Sequence, residues 1–182
     1  QGLPGTKVAK IKLGANDIDD WEEIEDLLLD YPSVRWRLDF NGLFTSFTDA
    51  ASFWERVSPT FKSKIEFLED PVTESLMADP AVSRCFAGAK IAVDRSPGPA
   101  SLKQAHVLVV KPATCSPDYF FDQVTSFSGP IVVTSAMDHP LGQLTALHAA
   151  QLVQKKYPQR LLECGLCTQD VYAPHPQSDW VR

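Results

Sequence analysis

Strand-like and helix-like segments alternate along most of this chain, and that alternation restricts the possible folds more than any other feature of the sequence. Seven segments have the composition of strands, and each except the last is followed by a helical pattern. The strands are expected near residues 7–14, 35–41, 65–70, 90–94, 106–111, 131–135 and 161–166. This order predicts a parallel α/β architecture.

The intervening segments predict helices, the first of which starts at an Asn16 cap and runs to about Asp30. The others are expected near residues 48–57, 73–86, 117–126 and 141–157, and residues 99–104 are expected to form a short helix or a loop. Residues 174–182 have the composition of an irregular tail.

Two parallel architectures fit this order, an open doubly wound sheet and a TIM-type barrel. The first βα turn, Gly14-Ala15-Asn16, lacks the glycine-rich motif usual in doubly wound sheets, which favours the barrel. A barrel needs eight strands and typically about 250 residues, whereas this sequence has 182. We therefore expect residues 1–173 to supply strands two to eight of a barrel domain whose first strand lies upstream of Gln1.

Composition excludes several classes of function. The net charge of −6 and the absence of a basic stripe argue against nucleic acid as a partner. No apolar run approaches the roughly 20 residues of a membrane span, and no signal peptide is visible, so we expect a cytoplasmic protein without a membrane partner. Four scattered cysteines predict reduced thiols, and Cys164-Gly-Leu-Cys167 has no second ligand pair for a zinc site.

The strand at residues 35–41 carries charge where a buried strand should be apolar. Because side chains alternate between faces, Arg37, Asp39 and Asn41 are expected on one face and the apolar residues between them on the other. An unpaired interior carboxylate is costly, so another group must compensate Asp39.

Chemically active side chains also stand at the ends of the other predicted strands: Lys10, Lys12, Asp39, Glu69, Asp94, Lys111 and Ser135. In a parallel barrel the carboxyl ends of the strands form the active site. Carboxylates from three strands suit Mg²⁺ or Mn²⁺ rather than zinc. Lys10 and Lys12 share a face, and we expect each to lower the proton affinity of the other, so that one serves as a base. The set predicts removal of a proton beside a substrate carboxylate, giving an enediolate.

These residues, in this order on successive strands, resemble the barrel domain of the enolase superfamily, in its muconate-lactonizing-enzyme-like subgroup. The matching motifs are Lys10-x-Lys12, Arg37-Leu38-Asp39-x-Asn41, Glu69-Asp70-Pro71, Asp94, Lys111-Pro112 and the turn from Thr134 to Gly142. Asp39 and Glu69 are 30 residues apart and Glu69 and Asp94 are 25 apart, which is one βα unit each. Within the subgroup the motifs are most similar to the o-succinylbenzoate synthase family of menaquinone biosynthesis.

The resemblance implies a role for each residue. Asp39, Glu69 and Asp94 would bind Mg²⁺, with Mn²⁺ as a substitute. Lys12 would be general base and then general acid, Lys111 would stabilise the enediolate, and Lys10 would adjust the proton affinity of Lys12. Arg37 and Asn41 would orient substrate or metal ligands, and Ser135 and Met137 would lie near the succinyl carboxylate.

The implied reaction is a carbon–oxygen lyase reaction, the dehydration of 2-succinyl-6-hydroxy-2,4-cyclohexadiene-1-carboxylate to o-succinylbenzoate. The resemblance also implies an N-terminal capping domain that closes over this small carboxylate substrate. One departure from the pattern is Arg95-Ser96 after Asp94, where many members of the subgroup have Glu-Ser. Two alternatives stay open, an N-acylamino acid racemase or dipeptide epimerase of the same subgroup, and a barrel that has lost catalysis.

Overall fold

The computed structural model describes residues 6–94, 98–136 and 140–166. The chain folds into two compact units, Gln1–His106 and Val107–Arg182. Each unit combines parallel strands with helices, as the alternation in the sequence predicts.

The first unit contains four parallel strands that are neighbours in chain order. They are β1 (Val8–Lys12), β2 (Arg35–Asp39), β3 (Ile65–Glu69) and β4 (Ile91–Val93). The register pairs Lys12 with Asp39, Asp39 with Glu69, and Glu69 with Ala92. The carboxyl ends of the strands are therefore level with one another.

Helices connect these strands and follow β4. They are α1 (Ala15–Asp19), α2 (Trp21–Leu29), α3 (Phe47–Arg56), α4 (Pro59–Lys62), α5 (Glu74–Met77), α6 (Ala81–Cys85) and α7 (Pro99–Gln104). Ser46 caps α3 by accepting a hydrogen bond from Asp49 N at 3.1 Å. Ser58 caps α4 in the same way, and Pro59 at the first helical position favours the helical φ.

Aromatic side chains fill the layer between these strands and helices. Phe40, which follows β2, lies with its ring centroid 5.6 Å from that of Phe44 and 5.5 Å from that of Phe53 on α3. Phe53 in turn packs edge-on against Trp21 of α2 at 5.1 Å. Each such buried ring contributes about 1.5–3 kcal/mol to stability. The buried residues Trp36, Leu38 and Phe40 agree with the apolar face expected for this strand, whereas Asn41 lies beyond the strand in a left-handed turn.

The buried carboxylate of Glu25 joins α2 to the start of α4. Its side chain accepts hydrogen bonds from Trp21 Nε1 at 2.8 Å and from Ser58 N at 3.1 Å. Because buried polar groups need hydrogen-bond partners, Glu25 satisfies two donors at the edge of an aromatic core.

The second unit contains two parallel strands, β5 (Val107–Val110) and β6 (Ile131–Val133), which are buried throughout. A short 3₁₀ turn (Pro112–Thr114), α8 (Pro117–Ser126) and α9 (Pro140–Lys156) accompany them. Isolated bridges pair Ile131 with Leu161 and Thr134 with Gly165. The last strand, expected at residues 161–166, is therefore present only as these two bridges in the described residues.

Two predicted helices are interrupted. The first begins after Gly14 rather than at an Asn16 cap, because the Asp17 carboxylate accepts a hydrogen bond from Gly14 N at 2.6 Å. It breaks at Asp20, which separates α1 from α2. The helix expected at 73–86 is divided into α5 and α6 around Pro80, which has no backbone N–H to continue the helical ladder.

Several other elements match their predictions closely. The helix expected at 117–126 is α8 and the long helix near the end is α9, while the short helix or loop expected at 99–104 is the helix α7. None of the helices in the described ranges is both long and apolar enough to cross a membrane. The tail at 174–182 lies outside the described residues.

Candidate metal and proton-transfer site

The carboxyl ends of β1, β2 and β3 bring acidic and basic side chains into one row. Lys12, Asp39 and Glu69 occupy paired positions on the three strands, so their side chains leave the sheet on the same face. Lys10 lies two residues earlier on β1 and shares that face. The row follows from the register between the three strands, together with the alternation of side chains along each strand.

Lys10 connects the two carboxylates. Its Nζ lies 2.9 Å from Asp39 Oδ2 and 3.2 Å from Glu69 Oε1. Glu69 is 1% exposed and Asp39 is 7% exposed, whereas the Lys10 side chain is 39% exposed. Lys10 therefore supplies part of the compensation that the sequence demands for Asp39.

The electrostatic environment of Glu69 favours its protonated form. Burial raises the pKa of Glu69 to about 7. The Asp39 and Asp94 carboxylates also raise this pKa, whereas the ammonium of Lys10 lowers it. Three carboxylates thus act on one another at this end of the sheet. A cation placed among them would relieve their repulsion.

The expected mutual effect of the two lysines is not what the structure shows for Lys10. Burial alone would lower the pKa of Lys10, but the carboxylates of Glu69 and Asp39 outweigh burial and raise that pKa. Lys10 therefore stays charged near neutral pH, and the prediction that its proton affinity is lowered is wrong. The prediction failed because it considered the lysine pair without the carboxylates on neighbouring strands.

Asp94 lies just beyond β4 and is half-buried. Its backbone N donates a hydrogen bond to Asp70 Oδ1 at 3.3 Å. The side chain is near enough to Glu69 to contribute to the raised pKa of that residue. In sequence it follows Ala92, the partner of Glu69, by two residues, so its backbone lies just beyond the row.

The loops after β2 and β3 have an unusual backbone. Asn41 has φ +53° and Asp70 has φ +42°, and these are the non-glycine residues with positive φ in the described part of the chain. Asn41 N donates to Asp39 Oδ1 at 3.1 Å, and Phe40 N donates to Glu69 O at 3.0 Å. Asparagine and aspartate tolerate a left-handed backbone better than most residues. This backbone sets the direction in which the chain leaves β2 and β3.

Lys12 and Lys111 belong to different units. Lys12 ends β1 and is exposed. Lys111 follows β5 and is half-buried, and its carbonyl oxygen accepts hydrogen bonds from Thr114 N at 3.0 Å and Thr114 Oγ1 at 2.9 Å. Each lysine stands at the end of its strand, as expected from the sequence.

Arg37 lies one level below the carboxylate row and is buried. Its Nε donates to Glu66 Oε2 at 2.6 Å, and its guanidinium lies 4.9 Å from the centre of the Phe67 ring. Arg35 contributes a second pair to Glu66 at 2.9 Å. The structure shows Arg37 paired with Glu66. Its contact with substrate stays a prediction.

The remaining predicted substrate contacts have different surroundings. Asn41 is exposed at the end of its turn. Ser135 is 5% exposed, and its backbone N donates to Gly165 O at 3.3 Å. Met137 lies outside the described residues, so its role stays a prediction.

Two acidic residues of this region had no role assigned from the sequence. Glu66 is buried because the register shifts between Trp36 and Arg37, which leaves it opposite the two arginines of β2. Asp70 contacts the segment after β4. The signals available were the charge of Glu66 within an apolar strand and the motif Glu69-Asp70-Pro71.

The donor atoms suit a hard divalent cation. In the described ranges no three acidic, histidine or cysteine side chains come together as a ready-made metal site. The three carboxylates nevertheless fit Mg²⁺, because they are hard oxygen donors and because burial, with a smaller contribution from the repulsion of Asp39 and Asp94, raises the pKa of Glu69. Asp39, Glu69 and Asp94 are the residues that would bind it.

Comparison with known proteins identifies relatives of this chain. The o-succinylbenzoate synthase of Bdellovibrio bacteriovorus is 30% identical over 175 residues, which cover 92% of this chain and 51% of that protein. The enzyme of the same name from Yersinia enterocolitica is 32% identical, over 78% of this chain and 46% of its own length. This chain spans about half the length of the curated relatives it matches. No family model matches the sequence.

Solved structures show the same fold. The o-succinylbenzoate synthase of Thermosynechococcus elongatus, complexed with Mg in its active site, matches 94% of this chain and 55% of its own, with a TM-score of 0.68 and 22% identity. Muconate lactonizing enzyme from Pseudomonas putida matches 93% of this chain and 49% of its own, with a TM-score of 0.72 and 15% identity.

A third solved structure is the L-Ala-D/L-Glu epimerase of Bacillus subtilis, which matches 90% of this chain and 47% of its own, with a TM-score of 0.66 and 19% identity. These likenesses confirm the expected fold class, a TIM-type α/β barrel domain. The chain therefore has the fold of the enolase-superfamily barrel domain, and the sequence relatives described above carry the name o-succinylbenzoate synthase.

Proposed function

We propose that the protein carrying this chain is a Mg²⁺-dependent o-succinylbenzoate synthase that acts in menaquinone biosynthesis in the cytoplasm. The observation that carries the proposal is the row of Lys12, Asp39 and Glu69 at paired strand ends, in a chain whose sequence relatives bear that name. The reaction removes the α-proton of 2-succinyl-6-hydroxy-2,4-cyclohexadiene-1-carboxylate and then expels hydroxide. Formation of an aromatic ring makes this elimination favourable.

Lys12 is the residue we assign as general base and then general acid. It stands at the strand end, level with Asp39 and Glu69, and it is exposed, so a substrate can reach its amine. Lys10 cannot take this role easily, because its ammonium is already paired with two carboxylates that raise its pKa. We assign Lys10 to the charge balance of the carboxylates instead.

Asp39, Glu69 and Asp94 are the proposed ligands of Mg²⁺. When bound, the ion would supply positive charge that stabilises the carboxylate side of the substrate as its α-proton leaves. Lys111 is assigned the second positive charge on the enediolate, and Asn41, Arg37, Ser135 and Met137 remain proposed substrate contacts. We also propose that the N-terminal capping domain implied by the family resemblance closes the site, and the relatives, about twice as long as this chain, leave room for such a domain.

A racemase or epimerase of the same subgroup is the second candidate. The fold of this chain is also that of an epimerase, with a TM-score of 0.66. An epimerase would use Lys12 and Lys111 as two bases on opposite sides of one carbon, whereas the synthase uses Lys12 for both proton steps. A barrel without catalysis is a third and weaker candidate, because the acids and lysines of the expected set are present.

The test is the dehydration of the cyclohexadiene carboxylate, followed by ultraviolet absorbance, with wild-type protein and a Lys12→Ala variant. We expect Lys12→Ala to lower kcat by about 10²–10⁴-fold or more, since one residue performs both proton transfers. Lys7→Ala is a matched control, because Lys7 is another exposed lysine that immediately precedes the same strand. It should retain wild-type kcat.

The outcomes separate the candidates. Turnover by wild type, with loss in Lys12→Ala alone, supports the synthase and the role of Lys12. A wild-type protein that is inert toward the cyclohexadiene but exchanges the α-proton of an N-succinyl amino acid would support the racemase instead. Inactivity toward both substrates would support the noncatalytic barrel.

A further inference from the structure

Asp70 occupies a constrained position beside the proposed metal ligands. It follows Glu69 directly, is 9% exposed and has φ +42°, a left-handed conformation that aspartate and asparagine adopt more readily than most residues. Its backbone therefore turns sharply as the chain leaves β3. Pro71 comes next and restricts the conformation further.

Hydrogen bonds join Asp70 to β4 and to the segments that follow β2 and β4. Asp70 N donates to Ala92 O at 3.0 Å in β4, and Asp70 O accepts from Gly42 N at 2.7 Å in the turn after β2. Its side-chain Oδ1 accepts from Asp94 N at 3.3 Å. One residue thus contacts the chain on both flanking strands or just beyond them.

A proposed ligand lies close in sequence to each of these contacts. Gly42 lies three residues after Asp39, and Ala92 lies two residues before Asp94. The two backbone bonds fix the strand ends, which any residue at position 70 could do if it accepted the turn. The bond from Asp94 N is different, since it requires an acceptor on the side chain of residue 70.

We propose that Asp70 is a positioning residue for the metal site, with its Oδ1 fixing the backbone of Asp94 relative to Glu69. This inference rests on the proposed function, in which Asp39, Glu69 and Asp94 bind Mg²⁺. Asp70 acts through Asp94 rather than on the metal or the substrate. Groups that orient metal ligands typically change metal affinity by about 10- to 100-fold when they are removed.

Two substitutions separate the side-chain acceptor from the backbone turn. Asp70→Asn retains an oxygen acceptor of the same shape and tolerates the left-handed backbone. Asp70→Gly accepts that backbone without strain but has no acceptor. Both variants remove the same negative charge, so a difference between them reports the hydrogen bond to Asp94 rather than the charge.

The experiment measures Mn²⁺ affinity of the full protein by calorimetry and the bound Mn²⁺ spectrum by electron paramagnetic resonance, for wild type and both variants. We expect Asp70→Gly to bind Mn²⁺ about 10- to 100-fold more weakly than Asp70→Asn, with a changed spectrum. Asp79→Gly is a control. Asp79 lies in the turn between α5 and α6, and its Oδ1 accepts a hydrogen bond from Ala81 N at 2.8 Å within that turn, so its loss should leave Mn²⁺ affinity unchanged.

The results also separate this inference from the proposed function. Equal Mn²⁺ affinity and identical spectra in Asp70→Asn and Asp70→Gly, with tight binding by wild type, would overturn the positioning role alone. Failure of the folded wild type to bind Mn²⁺ or Mg²⁺ would overturn the metal site and this inference with it. A Tm loss in Asp70→Gly without a change in Mn²⁺ affinity would show a structural role only and would also overturn the proposal.

Discussion

Glu69 is the residue on which the electrostatics of the site depend. It is almost completely buried, and burial together with two other carboxylates raises its pKa to about 7 from the ordinary value of 4.5. Folding therefore increases the proton affinity of this side chain. Between these two pKa values the folded protein binds more protons than the unfolded chain does.

The sign of the resulting pH dependence follows from that difference. The contribution of Glu69 to stability falls as the pH rises from about 4.5 to about 7, because ionisation of Glu69 is easier in the unfolded chain. We expect metal-free protein to lose about 2–3 kcal/mol of unfolding free energy from this group over that range. Glu69→Gln, which cannot ionise, should show a flatter curve in urea titrations across the range. Parallel curves for the two proteins would mean that folding leaves the proton affinity of Glu69 unchanged.

Arg37 and Glu66 form a buried charged pair in the first unit, with 2.6 Å between Arg37 Nε and Glu66 Oε2. Removing the buried arginine leaves the carboxylate with one exposed partner, Arg35. We expect Arg37→Met to lower the unfolding free energy by about 3 kcal/mol in urea denaturation.

Arg35→Met is the matched control for that prediction, because Arg35 contacts the same carboxylate from a side chain that is 59% exposed. It should cost less than about 1 kcal/mol. Adding Glu66→Gln to Arg37→Met should recover part of the lost unfolding free energy, because the double variant no longer buries a carboxylate without its arginine partner. Equal losses for the two arginine variants would show that burial of Arg37 does not determine the effect.

At the scale of elements, the connection of α2 to α4 depends on one carboxylate. Glu25 accepts hydrogen bonds from Trp21 Nε1 and Ser58 N. We expect Glu25→Ala to lower stability by about 2–4 kcal/mol, because two donors in a buried region lose this acceptor. Thermal unfolding measures the effect.

Glu22→Ala on the same helix is the control for Glu25→Ala. Glu22 is exposed and pairs with Arg56 at the surface, at 2.9 Å. Its loss should change Tm far less than the loss of Glu25. A similar Tm change in both variants would mean that helix propensity, rather than the buried hydrogen bonds, accounts for the effect.

Elements with strong local signals could be predicted from the sequence. The apolar strand β5 and the helix α8, with Ser116 and Pro117 at its start, lie within a residue or two of the expected limits. Helix breaks were harder to predict, because the break at Asp20 depends on local competition between short hydrogen-bonded turns. Pro80 carried a usable signal for the division of α5 from α6.

The candidate site was predictable in its residue types and less so in its contacts. Alternation and strand ends were enough to place Lys12, Asp39 and Glu69 in one row. The ion pairs of Lys10 depend on the register between three strands, which a single sequence does not specify. The register shift that buries Glu66 opposite Arg37 is a tertiary feature for the same reason.

At the scale of the whole molecule, the acids lie in the first unit and Lys111 lies in the second. A divalent cation that binds only the folded protein should stabilise it by about 2.7 kcal/mol at a concentration about 100 times its Kd. We expect Mg²⁺ to raise Tm in wild type, and a chelator to reverse the rise. Asp39→Asn combined with Asp94→Asn should abolish it, and an unchanged response in that double variant would contradict the ligand assignment.

The metal dependence of a single reaction decides whether the protein is a Mg²⁺-dependent synthase. The protein carrying this chain is freed of divalent cations with a chelator, and dehydration of 2-succinyl-6-hydroxy-2,4-cyclohexadiene-1-carboxylate is followed by ultraviolet absorbance before and after Mg²⁺ is added. We expect no turnover without the ion, full recovery with it, and no recovery in Asp39→Asn. Turnover that persists in the chelated protein, or none after Mg²⁺ is restored, would contradict the proposed function.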